Sequence, residues 1–348
     1  MRLLTGLCVA VFCITIFPKL SNAQRIAFDD SANPKLSLGD RVKWDPYLER
    51  LIEYHDNLRA PTDDADFPAV RVTSSSGEIV SMYPLKDFPR SVYVDILDVA
   101  GAPNGDIVLF AFISYVPRNV RPHLVKGFLL TYDQNGILKK VWDTYPYDFD
   151  RVVVDPNGNV FGLGGAAIKG DYPLLVKYSP SGEVLGEYLS SALFPTKDMV
   201  MAMNNANGEP KLFIQNGNLY VWIPTTLQIY AYSLDGNLLS VTSLSQAVQT
   251  MNDLSGSSHV RFLNIGVDSS EEIICQVGLF LRNLKNPHDL RLKAAAAMAR
   301  LRPDGSFDAW IEHASTGTMH VFLGLTKENK PVLWNRLGPN VFGVDLSD

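Results

Sequence analysis

LLVKYSPSGEVLGEYL, residues 174–189, is the stretch whose reading decides the fold. Two alternating apolar runs flank Ser179-Pro180-Ser181-Gly182, the pattern of a β-hairpin whose tight turn needs a residue tolerant of positive φ. The same outline recurs at 70–83 (turn SSSG), 129–142 (DQNG), 229–241 (LDGN) and 299–311 (PDGS). A second kind of hairpin alternates with the first, at 92–114 (PNGD), 152–163 (DPNGN), 211–223 (QNGN), 260–281 (DSSEE) and 320–334 (TKENK). Its turns fall near residues 105, 158, 217, 270 and 328, at intervals of 53, 59, 53 and 58.

Each repeat of roughly 55 residues therefore holds one hairpin of each kind and supplies four antiparallel strands. A four-stranded unit of that size is too thin to bury both of its own faces, so successive units stack radially. The expected fold class is all-β: a β-propeller of four-stranded antiparallel blades, with the second hairpin type innermost and the first outermost. The chain opens on the outer-type hairpin 70–83 and ends on the inner-type hairpin 320–334, so these are expected to meet and close the ring. Five blades can be counted. A sixth would have to come from 199–215 or from the strand-like run 341–346.

The motifs DPNGNVFGL (155–163), QNGNLYVWI (215–223), KYSPSGEVLGEY (177–188) and YSLDGNLLSV (232–241) resemble the repeats of the NHL and related TolB-like six-bladed β-propeller families, in their secreted bacterial form. The resemblance runs from about residue 70 to the C-terminus and implies the fold rather than an activity. The chain departs from it in its blade count and in the fourth and fifth inner turns, which lack glycine.

The ends of the chain say where it is expected to act. Arg2 precedes the apolar run 3–17, and Ser21-Asn22-Ala23 places small residues before a cut, so 1–23 reads as a secretory signal peptide cleaved near Ala23. That run is shorter than the roughly 20 residues of a spanning helix, and no later segment approaches it. The mature chain is expected to be secreted or periplasmic, without a membrane span, and monomeric. Cleavage removes Arg2 and Lys19 and no acid, leaving 29 basic against 37 acidic residues, a net charge of −8 that argues against nucleic acid as a partner. Cys8 and Cys13 leave with the signal, and Cys275, within the apolar run 273–277, reads as a core thiol. Residues 24–67 read as an N-terminal extension with a short helix over 45–58, where Leu48, Leu51, Ile52 and His55 have helical spacing, ahead of a propeller domain at 68–348.

Ligands of such rings are expected on the face where the innermost strands begin. The sequence places Arg90, Arg151, His259, Arg261 and His320 there, a concentration of cationic and imidazole groups on an acidic protein. The expected function is a binding or scaffold protein presenting its loops and channel mouth to a protein, a glycan or a small anionic ligand, with the loop 281–292 as a further contact. The resemblance implies an alternative, a calcium- or zinc-dependent lactonase-like hydrolase or lyase, to which His259, His320, Asp150 and Asp198 could contribute ligands. No HxxxH, HExxH or GxSxG motif supports catalysis. Gly162 to Gly165 follow a strand and open no helix, which removes a phosphate-loop reading, and 155–159 lacks the glutamate that ends a calcium loop. The recurring aromatics, among them Trp142, Tyr178, Tyr188, Trp222 and Tyr232, are expected to pack between blades.

Overall fold

Several of the turns form because the residue that opens them ties them locally. Asp133 Oδ1 accepts from the N–H groups of Asn135 and Ile137, both at 2.9 Å, and Asp155 Oδ1 accepts from Asn157 at 2.8 Å and Asn159 at 2.9 Å. Asp268 repeats this with Ser270 and Glu272, and the Ser179 hydroxyl with Ser181 and Glu183. These side chains mimic a backbone turn. The fourth position then takes a positive φ, at Gly136 (78°), Gly158 (82°) and Gly182 (93°). The two inner turns that lack glycine use Glu271 (64°) and Asn329 (62°) at that place.

This computed structural model describes residues 24–26, 41–54, 70–74, 78–83, 93–114, 125–166, 170–194, 207–282, 290–313 and 320–335. Five four-stranded antiparallel sheets are arranged as a β-propeller. Blade 1 comprises Arg41–Asp45, Arg50–Tyr54, Val70–Ser74 and Ile79–Tyr83. Blade 2 comprises Tyr93–Gly101, Ile107–Ser114, Val125–Tyr132 and Leu138–Asp143. Blade 3 follows with Tyr147–Val154, Val160–Ala166, Pro173–Tyr178 and Val184–Ser190, and blade 4 with Lys211–Gln215, Asn218–Ile223, Gln228–Ser233 and Leu238–Ser243. Blade 5 is His259–Val267, Ile273–Arg282, Leu290–Leu301 and Phe307–His313, with the short strand Gln24–Ile26 parallel to its outer edge. His320–Leu325 and Pro331–Asn335 form a separate two-stranded sheet. The first strand of each sheet touches the first strand of the next, and His320–Leu325 touches both blade 5 and blade 1, so the contacts run in a closed circuit.

The core lies between sheets. Phe110 of blade 2 meets Phe149 of blade 3 with ring centroids 5.3 Å apart, Tyr188 of blade 3 meets Tyr232 of blade 4 at 6.2 Å, and Trp222 of blade 4 meets Phe262 of blade 5 at 5.0 Å. Fully burying a ring such as Phe110 or Phe149 contributes about 1.5–3 kcal/mol, and Tyr188, Tyr232 and Trp222 take the interblade role expected of the recurring aromatics. Helix α1, Ser245–Ser255, joins blades 4 and 5, presses Ala247 and Met251 against that interface, and stops at Gly256 with φ 62°. Among the described residues no helix is long and apolar enough to cross a membrane.

Three expectations are corrected. Residues 41–54, read in part as a helix within an extension, are the first two strands of blade 1. Their polar residues are buried because they pair across strands: Arg50 Nε lies 2.7 Å from Asp45 Oδ2, and Arg71 donates to Glu53. Leu51 and Ile52 are adjacent yet both buried, one toward Trp44, Val332 and Trp334 and the other toward blade 2, as only a two-faced strand allows. The hairpin 70–83 consequently pairs with 41–54 rather than with 320–334. Finally, the described part of 199–215 adds no further blade, since Gly208 bridges Phe262 and Lys211–Gln215 is the innermost strand of blade 4. The run 341–346 lies outside the described residues.

Candidate functional site

A cavity of about 660 Å³ runs through the centre of the ring, lined by the innermost strands of all five blades and by the two-stranded sheet. Its volume falls in the range of small-molecule sites. Backbone irregularity sets part of its lining. Four of the first strands carry a β-bulge, between Ile96 and Asp98, Phe149 and Arg151, Phe262 and Asn264, and Phe322 and Gly324. A bulge inserts one residue and re-aims the side chains beyond it. The residues past the four bulges, Asp98, Arg151, Asn264 and Gly324, all line the cavity.

Six charged side chains face this space: Arg41 and Lys43 from blade 1, Asp98 from blade 2, Arg151 from blade 3, and Glu209 and Lys211 at the start of blade 4. Asp98 is the most engaged. Its carboxylate accepts from Lys43 Nζ at 2.6 Å, from the Val152 N–H at 2.7 Å and from the Tyr54 hydroxyl at 3.2 Å, tying blades 1, 2 and 3 together. Lys43 also donates to the Val152 carbonyl at 2.7 Å. Arg151 binds forward to blade 4, donating to Glu209 at 2.8 Å and to the Pro210 carbonyl at 3.1 Å. Asn264 donates to the Phe322 carbonyl at 2.7 Å, and Trp44 Nε1 to the Leu325 carbonyl at 3.1 Å. Toward the last residues of the innermost strands the walls become mainly apolar, with Ala100, Val154, Ile214, Ile265 and Leu325 beside Tyr47 and Trp334.

Burial shapes the protonation of the groups here. Lys211 is pushed down to about 8, first by loss of water and then by the nearby Arg151 and Lys43, with Glu209 and Asp98 pulling the other way. Lys43 is lowered by burial, opposed by Asp98. Asp150, the bulged residue, is raised to about 6 by burial and by Asp98 and Asp148, against the pull of Arg151. Cys275 is wholly buried and its thiol is pushed up to about 12, which makes it an inert core group.

Of the residues expected at the channel mouth, Arg151 lines the cavity. His259 and Arg261 lie earlier on the innermost strand of blade 5, opposite Phe280 and Gly278, and are not part of the lining. His320 opens the two-stranded sheet opposite Asn335. Arg90 and Asp198 lie outside the described residues, as does most of the 281–292 loop. Sequence reasoning missed Arg41, Lys43, Asp98, Glu209 and Lys211. The Arg-Val-Lys-Trp-Asp alternation at 41–45 was the available strand signal, and Lys211 opens a hairpin already recognised as an inner one.

The lining does not suit a divalent cation. Four cations face the cavity, and its two carboxylates, Asp98 and Glu209, already accept from Lys43 and Arg151. Among the described residues no three His, Cys, Asp or Glu side chains converge. No protein-family model matches the sequence, and no curated protein matches it. Solved structures similar to it include a member of the DUF4221 family from Bacteroides vulgatus, 10% identical, covering 91% of this chain and 95% of that one, with a TM-score of 0.46. A gluconolactonase from Xanthomonas campestris is 11% identical over 88% of this chain and 86% of its own, TM-score 0.40. A streptogramin B lyase is 11% identical over 84% and 97%, TM-score 0.40. The likeness is one of fold.

Proposed function

We propose that this chain is an exported binding protein that holds a small organic anion in its central cavity. One observation carries the reading: four cations and two carboxylates face a single cavity, where the Lys211 ammonium has no hydrogen bond or ion pair among the described residues. Cations withdrawn from water without matching acceptors are costly, and a bound carboxylate or phosphate supplies the missing counter-charge through charge-assisted hydrogen bonds. The aromatic walls, Trp44, Tyr47 and Trp334, suit a hydrocarbon or ring portion of the same molecule. Export rests on the signal-like residues 1–23, with cleavage near Ala23. The closed circuit of contacts supports reading the two-stranded sheet as the inner half of a sixth blade.

Calorimetric titration of the purified chain against a panel of small carboxylates and phosphate esters tests the proposal. At least one is expected to bind, with affinity lowered about tenfold or more by Arg41→Gln or Arg151→Gln, each removing one charged donor. A wild-type protein that binds none of the panel, and whose thermal midpoint none of them shifts, would remove the reading.

A further inference from the structure

We infer that Lys211 captures carbonyl compounds, so that the anion held in the cavity is a small 2-oxo acid or a related carbonyl-bearing carboxylate bound as a reversible imine. This rests on the anion-binding reading above and names the chemistry of its ligand. The argument begins with which cation is free to react. Lys43 is committed to Asp98 and the Val152 carbonyl, at 2.6 and 2.7 Å, and Arg151 to Glu209 and two backbone carbonyls. Guanidinium groups keep their proton at any physiological pH and form no imine. Lys211 is the cavity amine that makes no hydrogen bond or ion pair among the described residues.

Its surroundings favour the neutral amine. Arg151 faces it from the innermost strand of blade 3, Lys43 from blade 1, and Asp98 and Glu209 supply the opposing charge. The balance leaves the amine at about 8, where roughly a fifth is unprotonated at neutral to slightly alkaline pH, against about a thousandth for an ordinary lysine. Desolvation beside a second cation is a recognised way to make a lysine nucleophilic. Arg41 and Arg151 line the same cavity as Lys211, so a ligand that reaches the amine also meets guanidinium groups there.

The step balances without any oxidant or reductant. The neutral amine adds to the carbonyl carbon, forming the N–C bond while a proton passes from nitrogen to the carbonyl oxygen. The carbinolamine loses that oxygen as water and leaves the C=N bond. Addition of water reverses both steps.

The test uses the full chain, pyruvate, and sodium cyanoborohydride to reduce any imine to a stable secondary amine, read by intact mass and peptide mapping. A single adduct on Lys211 is expected, forming at least tenfold faster than on the exposed Lys126 and Lys140, with a rate that rises toward a midpoint near pH 8. Lys211→Arg should abolish it, and Lys140→Arg should leave it unchanged. Labelling of Lys211 no faster than of the surface lysines overturns the inference. Lactate, which has the carboxylate but no carbonyl, is titrated in parallel with wild type. Lactate binding without Lys211 labelling would sink the imine and leave the anion site standing, whereas loss of binding for both acids removes both.

Discussion

Asp98 joins three blades with one carboxylate, which makes it the residue whose loss the ring should feel most. Asp98→Asn keeps the shape and removes the charge, leaving Lys43 without its counter-ion in a largely buried setting. We expect a loss of about 3 kcal/mol in urea-denaturation stability. Asp150 gives the opposite sign. Its carboxyl titrates near 6 in the fold against an ordinary 3.8, so the folded state binds this proton more tightly than the unfolded chain does. Ionising it therefore costs stability: the penalty is absent below about pH 4, grows up to about pH 6, and is complete above that. Asp150→Asn should raise the thermal midpoint near pH 7.5 and leave it unchanged near pH 3.5. At this scale little of the site was legible beforehand. Arg151 was found because it starts a recognisable repeat. Asp98 was not, because only the bulge at the residue just before it re-aims it, and bulges leave no composition signal.

Elements show why the repeats could be read and blade 1 could not. Wherever an Asp or Ser opened a turn and a glycine closed it, the hairpin was visible in the sequence, and Glu271 and Asn329 kept the same geometry with a less recognisable residue. Blade 1 hides its first two strands behind Asp45, Arg50 and Glu53, buried charges that look like a solvated surface until their partners are known. The adjacent glycines of blade 3 offer a sharp test of local fit. Gly164 lies against the backbone of Asp148 and Phe149 at the bulge, where an added Cβ would collide with the Asp148 carbonyl oxygen, while Gly165 faces open space. Gly164→Ala should cost about 2–3 kcal/mol, as overpacking against rigid backbone does, and Gly165→Ala should change the thermal midpoint by little. If both are equally tolerated, the close approach is not a constraint.

On the scale of the whole molecule, six interfaces complete the circuit, two of them made by the two-stranded sheet. The two-stranded sheet presents Phe322, Leu325 and Leu333 to Ile274, Met298 and Ile311 of blade 5, and Val332 and Trp334 to Trp44 and Leu51 of blade 1. Truncation after His313 should expose both of these faces and abolish a single cooperative calorimetric transition. A truncated chain that still unfolds in one sharp step at the wild-type midpoint would show that closure is dispensable. Turn spacing alone made four of the complete blades countable; the fifth was expected from 70–83 with 320–334, and 41–54 takes that place beside 70–83. The hairpin 320–334 was expected to close the ring and does touch blades 5 and 1, but it meets Arg41–Asp45 instead of pairing with 70–83, because that contact joins the two ends of the chain and leaves no local pattern.

The Trp44 to Leu325 hydrogen bond spans 281 positions of sequence, and that separation has a consequence in time. Loop closure over so long a span comes late in folding. At ribosomal rates, residues 41–45 wait on the order of tens of seconds for the hairpin that locks them. Until then the nascent chain is a row of hairpins with two open ends, short of the rigid disc. A lock carried by 320–335 therefore leaves residues 41–45 without their ring partner until nearly 300 further residues have been added.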